Sequence, residues 1–317
     1  MRNCLLGGML STAATLIAAE PTAAWWDEGH MQIAALAYDR LDPQTRLKAD
    51  ALVRLNPEYG NWVAGVPDSL KAQYAFVRAA TWADDIKGGL PGYTNVGDKA
   101  SNPNAARNVG YYDHLSHGYW HYKDLGFSTD GTPIEEPDPV NALSQIAAFR
   151  EALKPSSGLP DDVRSYDLVW LIHLVGDVHQ PLHATARFSS NLRHGDEGGN
   201  KVEVVRATGE RMKLHAYWDS LFGGYSTPRG AILDGLIDPD TKLPEPDAVL
   251  AAESDPQKWL EESKALAIEF VYAEPVKSGT SPYMLDRAYE TNARTTARKQ
   301  AALAGARLAN LITDALK

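Results

Sequence analysis

The sequence predicts a mainly α fold, a single multi-helix domain carrying one short β-hairpin. Three observations lead there. Apolar residues recur at helical spacing through most of the chain, only one segment alternates as a strand pair would, and 317 residues at 44% hydrophobic content suffice for one sizeable core. Charged residues make up 23%, too ordinary a share for a disordered chain.

Residues 1–24 have the form of a Sec-type signal peptide, with Arg2 near the start, an apolar stretch from Leu5 to Ala19, and the small residues Thr22 and Ala24 before Trp25. Cleavage is expected between Ala24 and Trp25, leaving residues 25–317 as a secreted or periplasmic protein without stable membrane insertion. The stretch is short and broken by Ser11, Thr12 and Thr15, which argues against an anchor. Cys4 is the sole cysteine, so the mature chain would hold neither thiol nor disulfide and would depend on packing and bound metal.

Next, Ile33, Leu36, Ala37 and Leu41 mark a helix following His30. Two more helices are expected around Leu143, Ile146, Ala147 and Leu153, and around Leu168, Leu171, Ile172 and Val175, the latter ending near Gln180 because Pro181 cannot continue it. The hairpin is read from Val202, Val204 and Val205, then Ala-Thr-Gly-Glu, then Met212 and Leu214. Residues 257–272 and 283–315 read as two further helices. Loops rich in Gly, Pro and Asn are expected at 88–110, 126–139, 186–200 and 223–256.

The net charge is −10, and removal of residues 1–24 leaves it unchanged because Arg2 and Glu20 cancel. This sign excludes a broad basic surface for gripping polyanions. A nucleic acid would have to be attracted by local metal charge.

Metal chemistry is suggested by spacing. His173 and Asp177 lie four residues apart, roughly 40° around a helix and about 6 Å along it, so one metal, or a pair sharing Asp177, can use both. His215 and Asp219 repeat this spacing, and His183, beyond the Pro181 break, completes a His2Asp set. Three protein ligands plus water describe a zinc ion with an open position.

The motifs Trp25-x4-His30, Trp82-Ala83-Asp84, Trp120-His121-Tyr122, His173-x3-Asp177-x5-His183, Gly198-Gly199-Asn200 and His215-x3-Asp219 resemble the secreted trinuclear-zinc nucleases of fungi, plants and bacteria. That family cleaves single-stranded DNA and RNA and removes 3′-phosphates from nucleotides. The resemblance covers about two-thirds of the chain and implies three zinc ions. Asp84, His121, His173 and Asp177 would hold one; Trp25, His30 and the same Asp177 a second; His183, His215 and Asp219 the third. Trp25 would contribute its α-amine and carbonyl oxygen as a five-membered chelate, so signal cleavage would create a ligand.

Two metals sharing a carboxylate lower the pKa of a bridging water towards about 7 and offer hydroxide to phosphorus at neutral pH. The resemblance casts Asp84 as the residue orienting it. Lys87 stands where the family often has an arginine contacting phosphate; a lysine supplies a point charge instead of a bidentate fork. Tyr122 and Asp124 match positions that stack a base and bond its edge, and stacking of this kind tolerates any sequence. Asn200 would orient phosphate or base, or cap its own turn. Glu197 stands where an apolar wall residue is expected. His114, His117, His179 and His194 match no ligand position and are expected at the surface or behind the ligands. Trp82 and Trp218 are expected to pack around the metal cavity.

Substrates are therefore expected to be single-stranded nucleic acid and nucleotides, handled by a monomer. One rival is zinc-dependent phospholipase C, which shares the fold and the N-terminal Trp and would add phospholipid as substrate; it has Glu where this chain has Asp219, and Trp25-x4-His30 favours the nuclease branch. A second rival, a non-catalytic zinc-binding protein of the cell envelope, leaves Lys87, Tyr122 and Asp124 unexplained.

Overall fold

The computed structural model describes residues 25–317, so the expected signal peptide and Cys4 lie outside the described residues. The chain is mainly helical, and one continuous core runs from Trp25 to Leu316. At its centre the helix Asp161–Asp177 is buried on every side from Ser165 onward. Its run Leu-Val-Trp-Leu-Ile-His-Leu-Val has no polar face, which is the pattern of a helix enclosed by others.

The first and last helices, Asp27–Arg40 and Arg287–Ala315, pack against each other. Gly305 permits the approach, since a Cβ there would meet Leu36 Cδ2 at 2.9 Å and Ile33 O at 3.0 Å. Side chains set several helix starts. Asn141 and Ser144 form a reciprocal capping box for Ala142–Ala152, and Asp286 accepts from Tyr289 N at 2.8 Å. That cap starts the last helix at Arg287, and Tyr283–Met284, expected inside it, is a short strand.

The hairpin pairs Glu203–Val205 with Arg211–Lys213, and Tyr283–Met284 joins it in parallel as a third strand. A second small sheet pairs Phe127–Ser128 with Arg187–Phe188. Neither addition was anticipated, because two-residue strands are too short to show alternation. The helices Pro43–Val53 and Lys71–Ala79 were not read either, although Asp42 accepts from Gln44 N and Thr45 N before Pro43, a standard start signal. The stretch 223–256, expected as loop, contains helical turns at Pro228–Ile232, Leu233–Ile237 and Ala248–Ala251. No helix among the described residues is long and apolar enough to cross a membrane.

Candidate metal centre and cleft

Eight imidazoles and carboxylates, all buried but the partly buried Asp84, gather in three groups: His30, His173 and Asp177; Asp84, His121 and His173; and His183, His215 and Asp219. Within each, the candidate ligand atoms lie within 4.8 Å of one another. Each segment contributes through local geometry. The central helix carries His173 and Asp177 on one face. It stops at Asp177, and the turn Pro181–His183 then brings in His183. The hairpin leads directly into Leu214–Asp219, whose single helical turn aligns His215 with Asp219.

Asp177 faces two groups. Its Oδ1 lies 3.3 Å from His30 Nε2, while Oδ2 lies 3.0 Å from His121 Nδ1 and 3.2 Å from His173 Nε2. Asp84 Oδ1 stands 3.7 Å from His173 Nε2 and 3.8 Å from His121 Nδ1, and Lys87 Nζ reaches it at 2.8 Å. The His30 and His173 rings stack with centroids 3.9 Å apart. Gly176 leaves room for this, because a Cβ there would meet His30 Nδ1 at 2.9 Å.

The outer nitrogens of three rings are tied to the backbone. His173 Nδ1 donates to Ala80 O at 2.6 Å, His183 Nδ1 to His121 O at 2.7 Å, and His215 Nδ1 to Gly198 O at 2.7 Å. A neutral ring that donates from Nδ1 has a bare Nε2. His183 and His215 therefore point two lone pairs at each other across 3.0 Å, an arrangement that calls for a cation between them. A proton is a poor candidate, since burial first and His183 second push His215 down to about 3, and burial lowers His183 too. Gln180 donates to Asp219 Oδ1 at 2.7 Å, leaving Oδ2 3.5 Å from His215 Nε2.

The other two groups show the same need. His30 Nδ1, Asp84 Oδ2 and His121 Nε2 are buried without a hydrogen-bond partner. Burial alone would lower His173, yet Asp177 and Asp84 hold it up at about 9. His30 is pushed down to about 4, and His121 to about 3, in both cases chiefly by burial. Burial would also raise Asp84, but Lys87, His173 and His121 hold its carboxyl well below the usual range. Taken together, these residues favour positive charge in a site of imidazole nitrogens and carboxylate oxygens, the donor set that suits zinc.

Trp25 is fully buried beside this cluster, with its indole donating to Gly176 O at 3.2 Å and its ring edge-on to Phe222. The next amide, Trp26 N, donates to Asp219 O at 3.1 Å. Trp25 therefore adjoins both Gly176–Asp177 and Asp219.

A cleft of about 540 Å³ reaches the cluster, with Lys87, His121, His183 and His215 on its metal side. Tyr122, Asp124, Glu197 and Asn200 line it further out. Tyr122 is 40% exposed and lines the cleft. Burial and then Asp196, Glu197 and Asp138 raise Asp124 to about 7. Asn200 donates from Nδ2 to Glu197 O at 2.9 Å, so it braces the turn as well as lining the cleft.

The remaining histidines divide differently from expectation. His114 and His194 are exposed. His117 is buried flat on Trp120, with centroids 3.6 Å apart and Asp113 at 2.9 Å, and His179 is buried between Val175 O and the Arg307 guanidinium. Neither bonds to a ligand candidate. Trp82 lies in an aromatic cluster with Tyr93, Tyr111, Tyr166 and Trp170, and Trp218 donates to Tyr289 OH at 3.1 Å. Sequence reasoning missed Gln180 and the carbonyls of Ala80, His121 and Gly198. Only Gly198 carried a signal, through its glycine pair.

The S1/P1 nuclease family matches the chain over residues 25–317. The chain belongs to this family. Among its relatives, Nuclease S1 of Aspergillus oryzae is 27% identical over 230 residues, covering 68% of this chain and 62% of the relative. Nuclease P1 of Penicillium citrinum is 27% identical over 181 residues, or 54% of this chain and 55% of the relative. Endonuclease 2 of Arabidopsis thaliana is 25% identical over 238 residues, 73% and 67% respectively. The chain thus matches less than two-thirds of the length of Nuclease S1 and of Nuclease P1.

Proposed function

We propose that the protein is an exported zinc-dependent phosphodiesterase that cleaves single-stranded DNA and RNA and removes 3′-phosphates from nucleotides. The observation that carries this reading is the convergence of three cation-demanding His/Asp groups on one cleft that is also lined by Lys87 and Tyr122. Three zinc ions per chain are proposed: one on Asp84, His121, His173 and Asp177; one on His30, Asp177 and the amine and carbonyl of Trp25; one on His183, His215 and Asp219. When bound, such ions supply Lewis-acid charge to phosphate oxygens and lower the pKa of coordinated water.

The chain's own residues then have distinct tasks. Lys87 draws a phosphate oxygen towards Asp84, and Asp84 offers a carboxylate oxygen that orients the attacking water. Attack forms a new P–O bond and breaks the ester bond to the leaving oxygen, so no covalent enzyme intermediate is needed. Tyr122 stacks the base and Asp124 meets its edge, a preference for unpaired strands whose bases can splay outward. Asn200 holds the turn that frames this wall. With a net charge of −10, grip on the strand is confined to the cluster, and a monomer suffices.

The test uses protein expressed with its native leader. Its mature N-terminus and zinc content are measured, and single-stranded DNA, RNA, a 3′-nucleotide and phosphatidylcholine are assayed with and without a chelator. Chelator-sensitive cleavage of nucleic acid with about three zinc ions per chain supports the proposal. Cleavage of the lipid alone would move the protein to the phospholipase reading, and zinc without turnover to the binding-protein reading.

A further inference from the structure

Glu197, Gly198 and Gly199 occupy three successive left-handed conformations, with φ of 54°, 57° and 82°. A glutamate there is held against its own preference. The restraint comes from both sides. Asp196 accepts from Arg187 N at 2.9 Å and from Tyr272 OH at 2.7 Å, while Asn200 N donates to Glu197 O at 3.1 Å and Gly198 O accepts from His215 Nδ1. A backbone fixed this firmly sets where the Glu197 side chain leaves it, and Glu197 lines the same cleft as Tyr122 and Asp124.

We propose that Glu197, together with Asp124, selects bases that carry an exocyclic amino group, namely adenine, cytosine and guanine, over uracil and thymine. This rests on the nuclease reading and names the base class that the cleft prefers. Among the described residues, no cation or hydrogen-bond donor meets the Asp124 carboxyl. The Glu197 partner is Lys201 at 3.0 Å, an exposed pair that yields readily to a ligand.

Two carboxyl groups beside one stacking ring offer acceptors to a base edge. An amino group donates to them in a charge-assisted bond. Uracil and thymine present carbonyl oxygens on both sides of their single N–H, and an oxygen facing a carboxylate is repelled. Uracil and thymine can therefore offer the pair of carboxyls only that one flanked N–H, and they set a carbonyl oxygen against the second carboxyl. Burial and the neighbouring carboxylates already raise Asp124 to about 7, so added negative charge is poorly tolerated there and an incoming donor relieves it.

Cytidine and uridine 3′-phosphates differ in the amino and carbonyl groups at C4, with the associated N3 proton, and are nearly equal in size. The experiment is the ratio of kcat/KM for these two substrates in the zinc-loaded enzyme, in Glu197→Gly and in Glu197→Gln. Glycine suits the left-handed backbone, and a ratio taken within one variant is independent of how much of it is folded. The wild-type ratio is expected to favour cytidine roughly tenfold, the change that one charge-assisted hydrogen bond yields. Glu197→Gly should bring the ratio towards unity, and Glu197→Gln, whose amide can donate to the uracil carbonyl, at least as far. Hydrolysis with a wild-type ratio near one, or with a ratio unmoved in both variants, overturns this inference and leaves the nuclease reading standing. No hydrolysis of either nucleotide by the wild type overturns this inference, and together with no cleavage of single-stranded DNA or RNA it overturns both.

Discussion

Gly198→Ala tests how tightly the metal cluster and the cleft wall are joined. An added Cβ would press on the Leu182 carbonyl oxygen well inside van der Waals contact and meet His215 Nδ1 at 3.3 Å, on a backbone with φ +57°. The left-handed conformation alone costs a non-glycine residue about 1–2 kcal/mol. Forcing the Leu182 backbone aside adds about 1–3 kcal/mol, as overpacking does elsewhere. Gly209 supplies the control, because its φ is +88° with nothing within 4 Å of the new Cβ, so Gly209→Ala bears only the conformational cost. Displacing the Gly198 carbonyl also releases the His215 ring, and loss of such a partner typically weakens a metal site about 10–100-fold. Thermal unfolding of the two variants should therefore differ by several degrees, at roughly 2–4 °C per kcal/mol for a chain of this size. Zinc counted by mass spectrometry after dialysis against a weak chelator should fall in Gly198→Ala only. The reasoning fails if Gly198→Ala keeps its zinc and melts together with Gly209→Ala.

Arg307 is wholly buried and pairs with Glu262 at 2.7 Å, with His179 at 3.0 Å and with Leu250 O, so Arg307→Met strands three polar partners and should cost about 3–5 kcal/mol in chemical denaturation. A loss under 1 kcal/mol would show that the network relaxes. Lys87→Ala should lower kcat well below the wild type while zinc content stays constant, and unchanged turnover would assign Lys87 to the surface of the cleft. Zinc affinity should depend on pH in a definite direction. His173 is held near 9 in the metal-free protein, so below that value a proton must leave before the metal enters, and affinity should weaken about tenfold per unit as pH falls from 9 to 7. Competition titrations at several pH values giving a flat profile would contradict this assignment. The same raised pKa, set against an unfolded value of 6.5, makes the protonated ring stabilise the metal-free fold fully below about 6.5 and progressively less up to about 9.

The sequence made the fold class and two ligand pairs legible for a physical reason, since helical spacing is a one-dimensional image of a three-dimensional face, whereas Trp25, His30, Asp84 and His121 joined them only through the family resemblance. His173 with Asp177, and His215 with Asp219, had to meet once their segments were helical, and Pro181 had to separate His183 from the first pair. What stayed hidden is made by the backbone. The carbonyls of Ala80, His121 and Gly198 that orient the rings belong to no residue type, and the pairing of Tyr283–Met284 with the hairpin joins segments nearly eighty positions apart through two residues. His179 matched no ligand position and was expected at the surface or behind the ligands, whereas the chain after the central helix directs it towards Arg307 on the last helix.

The cluster gathers its members from the first helix, from the short helix at Trp82–Lys87, from the turn at Gly118–His121, from the central helix, from the turn Pro181–His183 and from the helical turn that follows the hairpin. Metal bound there would act as a set of reversible cross-links over long loops of a chain whose sole cysteine, Cys4, precedes residue 25. A covalent bridge closing a loop of about 100 residues removes ~4.7 kcal/mol of unfolded-state freedom in the chain-entropy model. Bridges of coordination bonds have a comparable effect but can be withdrawn, so the zinc supply of the surroundings would govern how long the chain survives as well as how fast it works. Because the candidate ligands run from His30 to Asp219, this fastening could close only after the chain has emerged at least as far as Asp219.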